Sequence, residues 1–293
     1  MTTRVTGLRE VAAGVHVWRY PGLAASERSS AASDALGIPV NVTLVVGDGE
    51  ALLVDTLSTD PQARELAAAA RAVTPYPWTV VNTHHHFDHC FGNAVLAAGR
   101  RPIWGHEEAA ALLTDQPEAL RRQWYEQWVP THPELATGLA EVRVVPPDRT
   151  VHRTTTLDLA GRTVLLRHLG RGHTAGDLVV QVPDADLLVA GDLVEQSGPP
   201  SFEDSYPIEW PETLAGLLHL AGPESVVVPG HGTVVGRDFV ADQHAELAAL
   251  AWLIRDGDAD RAPVEAVAAK APFGGETALT AVRRGYAELA GRA

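Results

Sequence analysis

Four histidines and an aspartate crowd into six positions of this chain, His84-His85-His86-Phe87-Asp88-His89. The run follows an apolar stretch, Trp78 to Val81, that reads as a short buried strand. It precedes Gly92, after which Asn93 to Ala98 reads as a helix start. In an extended segment, side chains at i, i+2 and i+4 project to one side. His84, His86 and Asp88 are therefore predicted to face one cavity, with His89 joining from the turn and His85 facing away. Imidazole and carboxylate are the ligands that borderline divalent metals prefer. The run reads as half of a metal site, and the chain must supply the other half downstream. Cys90 reads as a small packing residue.

Three later residues share one kind of position. His173 lies in Gly170-Arg171-Gly172-His173-Thr174-Ala175-Gly176-Asp177, directly after an apolar strand. Asp192 lies in Ala190-Gly191-Asp192-Leu193 and His231 in Pro229-Gly230-His231-Gly232, each at a strand end. Glycines beside these residues let the backbone turn sharply and approach closely. Ligands on loops at the ends of a rigid sheet suit a preorganised site.

The remaining pattern places strands at Val15 to Tyr20, Asn41 to Val46, Ala51 to Asp55, Ile103 to Gly105, Glu141 to Val145, Thr156 to Leu159, Arg162 to Leu169, Asp177 to Val182, Asp186 to Ala190 and Ser225 to Val228. Asp60-Pro61 reads as an N-cap followed by Pro at the first helical position, with the helix running to about Val73. His106 to Val129 reads as two helical pieces broken near Pro117. A helix starts at Pro211, a long one spans Arg237 to Asp256, and two more follow, split by Pro272 to Gly275. Hairpins in two groups, each followed by helices, predict two sheets packed face to face with helices outside. Pro21 to Pro39, rich in Ala, Ser and Gly, is expected to be a mobile loop or flap covering one side of the site.

Composition removes several functions. A net charge of −14 repels phosphate backbones, so nucleic acid is a poor partner. The single cysteine, Cys90, rules out an intramolecular disulfide and a thiolate cage. No signal-peptide pattern and no membrane-length apolar run are present, so a cytoplasmic location is the expectation. The expected partner is a small-molecule substrate; a homodimer stays open.

The order HxHxDH, GHTxGD, GD and PGHG resembles the metallo-β-lactamase fold superfamily over roughly Val40 to Gly236. The resemblance implies an α/β fold, a four-layer αββα sandwich, with a helical C-terminal extension. It implies one domain over residues 1–293, with a core of about 10–236 and helices 237–293 packed on it. His84, His86 and His173 resemble the ligands of a first metal; Asp88, His89 and His231 those of a second; Asp192 the carboxylate bridging both. Zinc fits this ligand set best, with two ions per chain, and iron or manganese also accept His and carboxylate. Two metals sharing a hydroxide supply a nucleophile at neutral pH.

Within the superfamily a bridging Asp192 resembles the glyoxalase II, lactonase, phosphodiesterase and sulfatase branches. The expected activity is hydrolysis of an ester-type bond in a lactone, thioester or related small molecule, with Asp88 and Asp192 as catalytic residues. Tyr206 is expected to hydrogen-bond the substrate carbonyl or its oxyanion, as a tyrosine does in lactonases. The loop Glu195 to Trp210, with Phe202, Tyr206 and Trp210, is expected to line the pocket, whereas Trp104, Trp124 and Trp128 are expected in the core. Asp55, Thr174 and Asp177 are candidates to brace ligands. The C-terminal helices lack an evident basic patch for glutathione. A β-lactam-hydrolysing enzyme, a mononuclear iron enzyme of the persulfide-dioxygenase type and a non-catalytic metal-binding module are the alternatives.

Overall fold

The computed structural model describes residues 7–21, 39–99 and 101–292. Most of the segment expected to form a flap, residues 22–38, lies outside them. Strands form where apolar residues alternate or run together. β1 (Arg9–Ala12) and β2 (Val15–Tyr20) form a hairpin, and β3 (Val40–Val46) and β4 (Ala51–Val54) form the next. Next along the chain, β5 (Trp78–Val81), β6 (Ile103–His106) and β7 (Arg149–Val151) extend the sheet in parallel from β4. A second group contains β8 (Thr154–Asp158), β9 (Thr163–Arg167), β10 (Val179–Val182), β11 (Leu187–Glu195), β12 (Val226–His231) and the short β13 (Val235–Gly236). The two groups share one hydrogen-bonded path, β7-β6-β5-β4-β3-β12-β11-β10-β9-β8. They meet at one residue pair, His231 opposite Val40.

The layers follow from which faces are apolar. Val15, Val45, Leu52 and Val54 from one group meet Leu166, Val180, Val189 and Val228 from the other in a shared interior. Helix α1 (Asp60–Val73) covers the outer face of the first group, setting Ala63, Leu66 and Ala70 on Leu44, Leu53 and Val80. It begins one residue earlier than expected, with Thr59 in the cap position. It ends because Thr74 precedes Pro75 and is held extended. On the other outer face, α7 (Trp210–Leu220), α8 (Arg237–Ala259), α9 (Val264–Ala268) and α10 (Gly275–Leu289) bury Trp210, Leu214, Leu247, Ile254, Val267 and Val282 against Leu188 and Val227. Each such side chain withdrawn from water stabilises the fold by about 1.5–3 kcal/mol. The result is the expected αββα sandwich. No helix among the described residues is long and apolar enough to cross a membrane.

A smaller helical group lies beside the histidine run. It comprises the single turns α2 (Phe87–Cys90) and α3 (Asn93–Leu96), then α4 (Glu107–Asp115), α5 (Pro117–Trp128) and α6 (Pro133–Glu141). Helix α6 and the irregular chain after it occupy the segment expected to hold a strand over Glu141 to Val145. Pro133 starts that helix, and Ala136 and Leu139 bury at helical spacing. The valines that suggested a strand, Val142 and Val144, pack into the cluster of Phe91, Leu120 and Leu139 without pairing.

His106 ends β6 and caps α4, its Nδ1 accepting from Glu108 N at 3.3 Å. Its ring stacks on His168 with centroids 3.9 Å apart. Burial and the neighbouring imidazole lower its pKa from 6.5 to about 4. Between those values the unfolded chain binds the proton and the folded one does not, so stability declines as pH falls through that window. Urea titrations at pH 7 and pH 4.5 on metal-free protein should show His106→Asn removing a loss on the order of 1 kcal/mol from that interval. An unchanged pH slope in the variant would refute the assignment.

Candidate metal centre

The histidine run occupies the end of β5, but it is not extended throughout. The chain leaves the strand after Val81, turns, and enters the helical turn α2 at Phe87. His84 and His86 therefore come from the turn, and Asp88 and His89 from a helix. Asn82 Nδ2 donates to the His89 carbonyl at 3.1 Å, and Asn93 Nδ2 donates to Asn82 Oδ1 at 2.8 Å, which fastens that turn to the strand end.

The second group of strands supplies the rest. His173 follows β9 and His231 ends β12, whereas Asp192, expected at a strand end, lies within β11, which runs on to Glu195. Gly230 must lack a side chain, because a Cβ there would lie 1.7 Å from Asp192 Oδ1. Gly191, at φ +55°, turns the backbone tightly against Thr83.

All seven predicted ligands converge. His84, His86, His173 and Asp192 bring donor atoms within 4.8 Å of one another, and so do Asp88, His89 and His231. Asp192 touches both groups: it lies 3.8 Å from His84 Nε2 and 3.4 Å from His173 Nε2, and 3.2 Å from His89 Nε2 and 3.3 Å from His231 Nε2. His86 Nδ1 faces His173 Nε2 at 3.0 Å, and His89 Nε2 faces His231 Nε2 at 3.4 Å. Paired nitrogens of that kind, and a buried His84 Nε2 with no hydrogen-bond partner, are what a cation between them would satisfy. Burial, together with the neighbouring imidazoles of His89, His86 and His173, holds His84 well below its ordinary pKa, in the neutral form that ligates metals. Burial opposes ionisation of Asp192, but the imidazoles around it, His231 foremost, hold its carboxyl well below the usual range.

Supporting residues fix the ring orientations. Asp55, in a left-handed conformation at φ +67°, accepts from Thr83 N at 2.7 Å and lies 2.8 Å from His89 Nδ1. That contact turns His89 Nε2 inward. Asp177 accepts from Thr174 N and Oγ1, bracing the loop that carries His173. His231 Nδ1 lies 3.2 Å from the Pro39 carbonyl. Cys90 is buried and donates its thiol to the His85 carbonyl, the packing role its sequence context suggested.

Asp204 was invisible in the sequence. Both its carboxylate oxygens lie 3.1 Å from His86 Nε2, and one lies 3.1 Å from His85 Nε2. The Nε2 proton of His86 is thereby committed to Asp204, and its Nδ1 is left to face the site. Asp204→Ala should weaken metal binding roughly 10- to 100-fold, the usual effect of removing such a partner. Competition with a chromophoric chelator measures this, and an unaltered affinity would assign Asp204 to the surface.

A cavity of about 590 Å³ opens onto His86, Asp88, His173, Asp192 and His231. Trp124 and Trp128 line it, contrary to the expectation of core positions; Trp124 sits edge-on to His86 at 5.3 Å. Trp104 packs in the interior between the sheets. Phe202 and Trp210 are core residues, with Trp210 5.7 Å from His173 and its Nε1 donating to the Leu193 carbonyl. Tyr206 is not among the lining residues: its backbone N–H donates to the Gly172 carbonyl, and its ring lies 4.1 Å under the Arg171 guanidinium. The cavity's other lining includes Glu195, whose burial pushes its carboxyl up to about 7 against the pull of His231.

The model of the metallo-β-lactamase superfamily matches residues 36–231. A metallo-β-lactamase type 2 from Bacillus cereus is 26% identical over 207 residues, covering 69% of this chain and 71% of that protein. A hydroxyacylglutathione hydrolase from Brucella anthropi is 25% identical over 194 residues, covering 65% and 61% respectively. Among solved structures, a metallo-β-lactamase from Pontibacter korlensis has a TM-score of 0.63 at 20% identity, covering 82% of this chain and 98% of that one. The DIM-1 metallo-β-lactamase gives the same TM-score at 18% identity, covering 83% and 96%. With the sandwich, the converging ligands and the family match in agreement, the chain belongs to the metallo-β-lactamase superfamily of metal-dependent hydrolases.

Proposed function

We propose that this protein is a dinuclear zinc hydrolase acting on an ester-type bond, in a lactone, thioester or related small molecule. The observation that carries the reading is Asp192, one carboxylate in contact with the imidazoles of both ligand groups. His84, His86 and His173 would hold one ion, Asp88, His89 and His231 the other, and Asp192 both. Two such ions would supply Lewis acidity and bring the pKa of water near 7.

The chain's own groups do the rest. Asp55 and Asp204 orient His89 and His86 through the ring nitrogens that face away from the site. Asp88 Oδ2, 3.4 Å from His231 and on the cavity surface, is placed to hold the proton of the attacking water. The apolar wall of Phe87, Trp124 and Trp128 excludes bulk water and receives the substrate's apolar portion. Tyr206, turned under Arg171, is given no part in this scheme.

Metal quantification on the purified protein, followed by lactone, thioester, phosphodiester and β-lactam panels on the same sample, tests the proposal. Two zinc ions per chain with ester or thioester turnover is the expected result. One iron with thiol-dependent oxygen uptake would replace it with a persulfide-dioxygenase type of chemistry, and β-lactam turnover alone with a lactamase.

A further inference from the structure

Glu195 lines the cavity beside the metal centre and takes no part in the hydrolytic scheme. It ends β11, three residues after Asp192. In a regular strand those two side chains would leave opposite faces of the sheet. The ladder to β12 is irregular here: Gly191 pairs with Pro229 and Glu195 with His231, so more chain is taken up on β11 than on β12. The extra chain brings both carboxylates to one side. Ligand atoms of Asp192, Glu195 and His231 all lie within 4.8 Å of one another.

The backbone on either side of Glu195 is held. Its N–H donates to Gln243 Oε1 at 2.9 Å, and Gln243 Nε2 donates to the Leu193 carbonyl at 2.9 Å, so a buried glutamine of α8 grips the end of β11 twice. The N–H of Gln196 donates to the His231 carbonyl at 3.1 Å. Ser197 Oγ donates to Glu195 Oε1 at 2.8 Å, which fixes the direction of the side chain. Two carboxylates this close, and largely withdrawn from water, repel one another. The buried Oδ1 of Asp192 has no hydrogen-bond partner among the described residues. A cation shared by the two carboxylates removes the repulsion and satisfies that oxygen.

We propose that Glu195 is an eighth metal ligand, joining Asp88, His89, His231 and the shared Asp192 on the second ion. This rests on the two-ion reading of the site and adds to it. The first ion has three imidazoles and one shared carboxylate, a set of four donors that suits zinc. The second has four donors without Glu195, and zinc in hydrolytic sites also accepts a fifth. His231 links the sets. Its Nε2 lies 3.4 Å from Asp88 Oδ2 and 3.3 Å from Asp192 Oδ2, while its Nδ1 is turned to the Pro39 carbonyl. An ion on His231 Nε2 and Asp192 therefore has the Glu195 carboxylate beside it. The two positions become unequal: imidazoles dominate the first, and carboxylates, with their negative charge, tighten the second.

Stepwise zinc affinities, measured on the full chain against a chromophoric chelator, test this. Glu195→Gln and Glu195→Ala should each weaken the second ion at least about tenfold, the least that removing even a bracing partner costs. The first affinity should stay as it is, which also shows that the variants fold. Cobalt(II) in place of zinc separates a ligand from a brace, because its visible bands answer to the ion's own ligands and not to charges beyond them. The bands of the second cobalt should change in both variants, and those of the first should not. An unaltered second affinity, a loss shared equally by both ions, or a weakened second ion with unaltered cobalt bands overturns the proposal. Two ions bound alike by wild type and variants would leave the two-ion site standing without Glu195, whereas one ion per wild-type chain would overturn both.

Discussion

Asp192→Ala should empty the site and stop the reaction together. In the folded chain four imidazoles from both ligand groups lie 3.2–3.8 Å from this one carboxylate. Removing it leaves each group short of its only shared anion, whereas His231→Ala strips one ligand from one group. On the proposed two-ion site, the expected result is loss of bound metal from Asp192→Ala and a fall in kcat/KM of at least about 10³-fold, equivalent to ~4 kcal/mol. His231→Ala should keep one ion. Metal content and turnover of the same preparations are the readouts, with circular dichroism to show that the fold persists. A variant at position 192 that retains two ions and most of its activity would end the idea of a shared carboxylate.

The largest effect on stability should come from Trp210→Ala. Trp210 is fully buried, and its indole N–H donates to the Leu193 carbonyl, one residue beyond Asp192. Its ring packs on Phe202 and against His173. Truncation removes the largest side chain of the cluster between β11 and the C-terminal helices, and costs about 3–5 kcal/mol. In a chain of this size that lowers Tm by roughly 10 °C. Calorimetry in the presence of a chelator isolates the packing loss from metal binding. A shift under 2–3 °C, about 1 kcal/mol, would mean that the cluster refills the space.

The residues that carry metal chemistry were legible because such ligands need strand ends and glycines, and both leave marks in the sequence. Asp204 left none. It contacts His86 from 118 positions further along the chain, in a loop with no periodicity, and one acidic residue in an acidic loop looks like any other. Trp124 and Trp128 show the same limit from another side. Helical spacing reveals that α5 has an apolar face, but the face borders the cavity as well as a core, and spacing alone does not separate the two. Tyr206 shows the converse error: nearness to Asp192 in the chain is not nearness in space, because the loop folds back beneath Gly172. The stretch Glu141 to Val145 resembles a strand because valine favours strands locally, but only Glu141 joins α6, and Val142 and Val144 pack in irregular chain without pairing.

The two groups of strands meet at one residue pair, His231 opposite Val40, and the seven donors are divided across that seam. His84, His86, Asp88 and His89 belong to one side; His173, Asp192 and His231 to the other. An ion seated among them is therefore a rivet through the sandwich, joining halves that the backbone ladder scarcely ties at that edge. A ligand that binds only the folded state stabilises it by RT ln(1 + [L]/Kd), about 4 kcal/mol at a thousandfold excess over Kd. Metal held across that seam would thus add to the stability of the core by an amount that rises with the free metal of the surroundings.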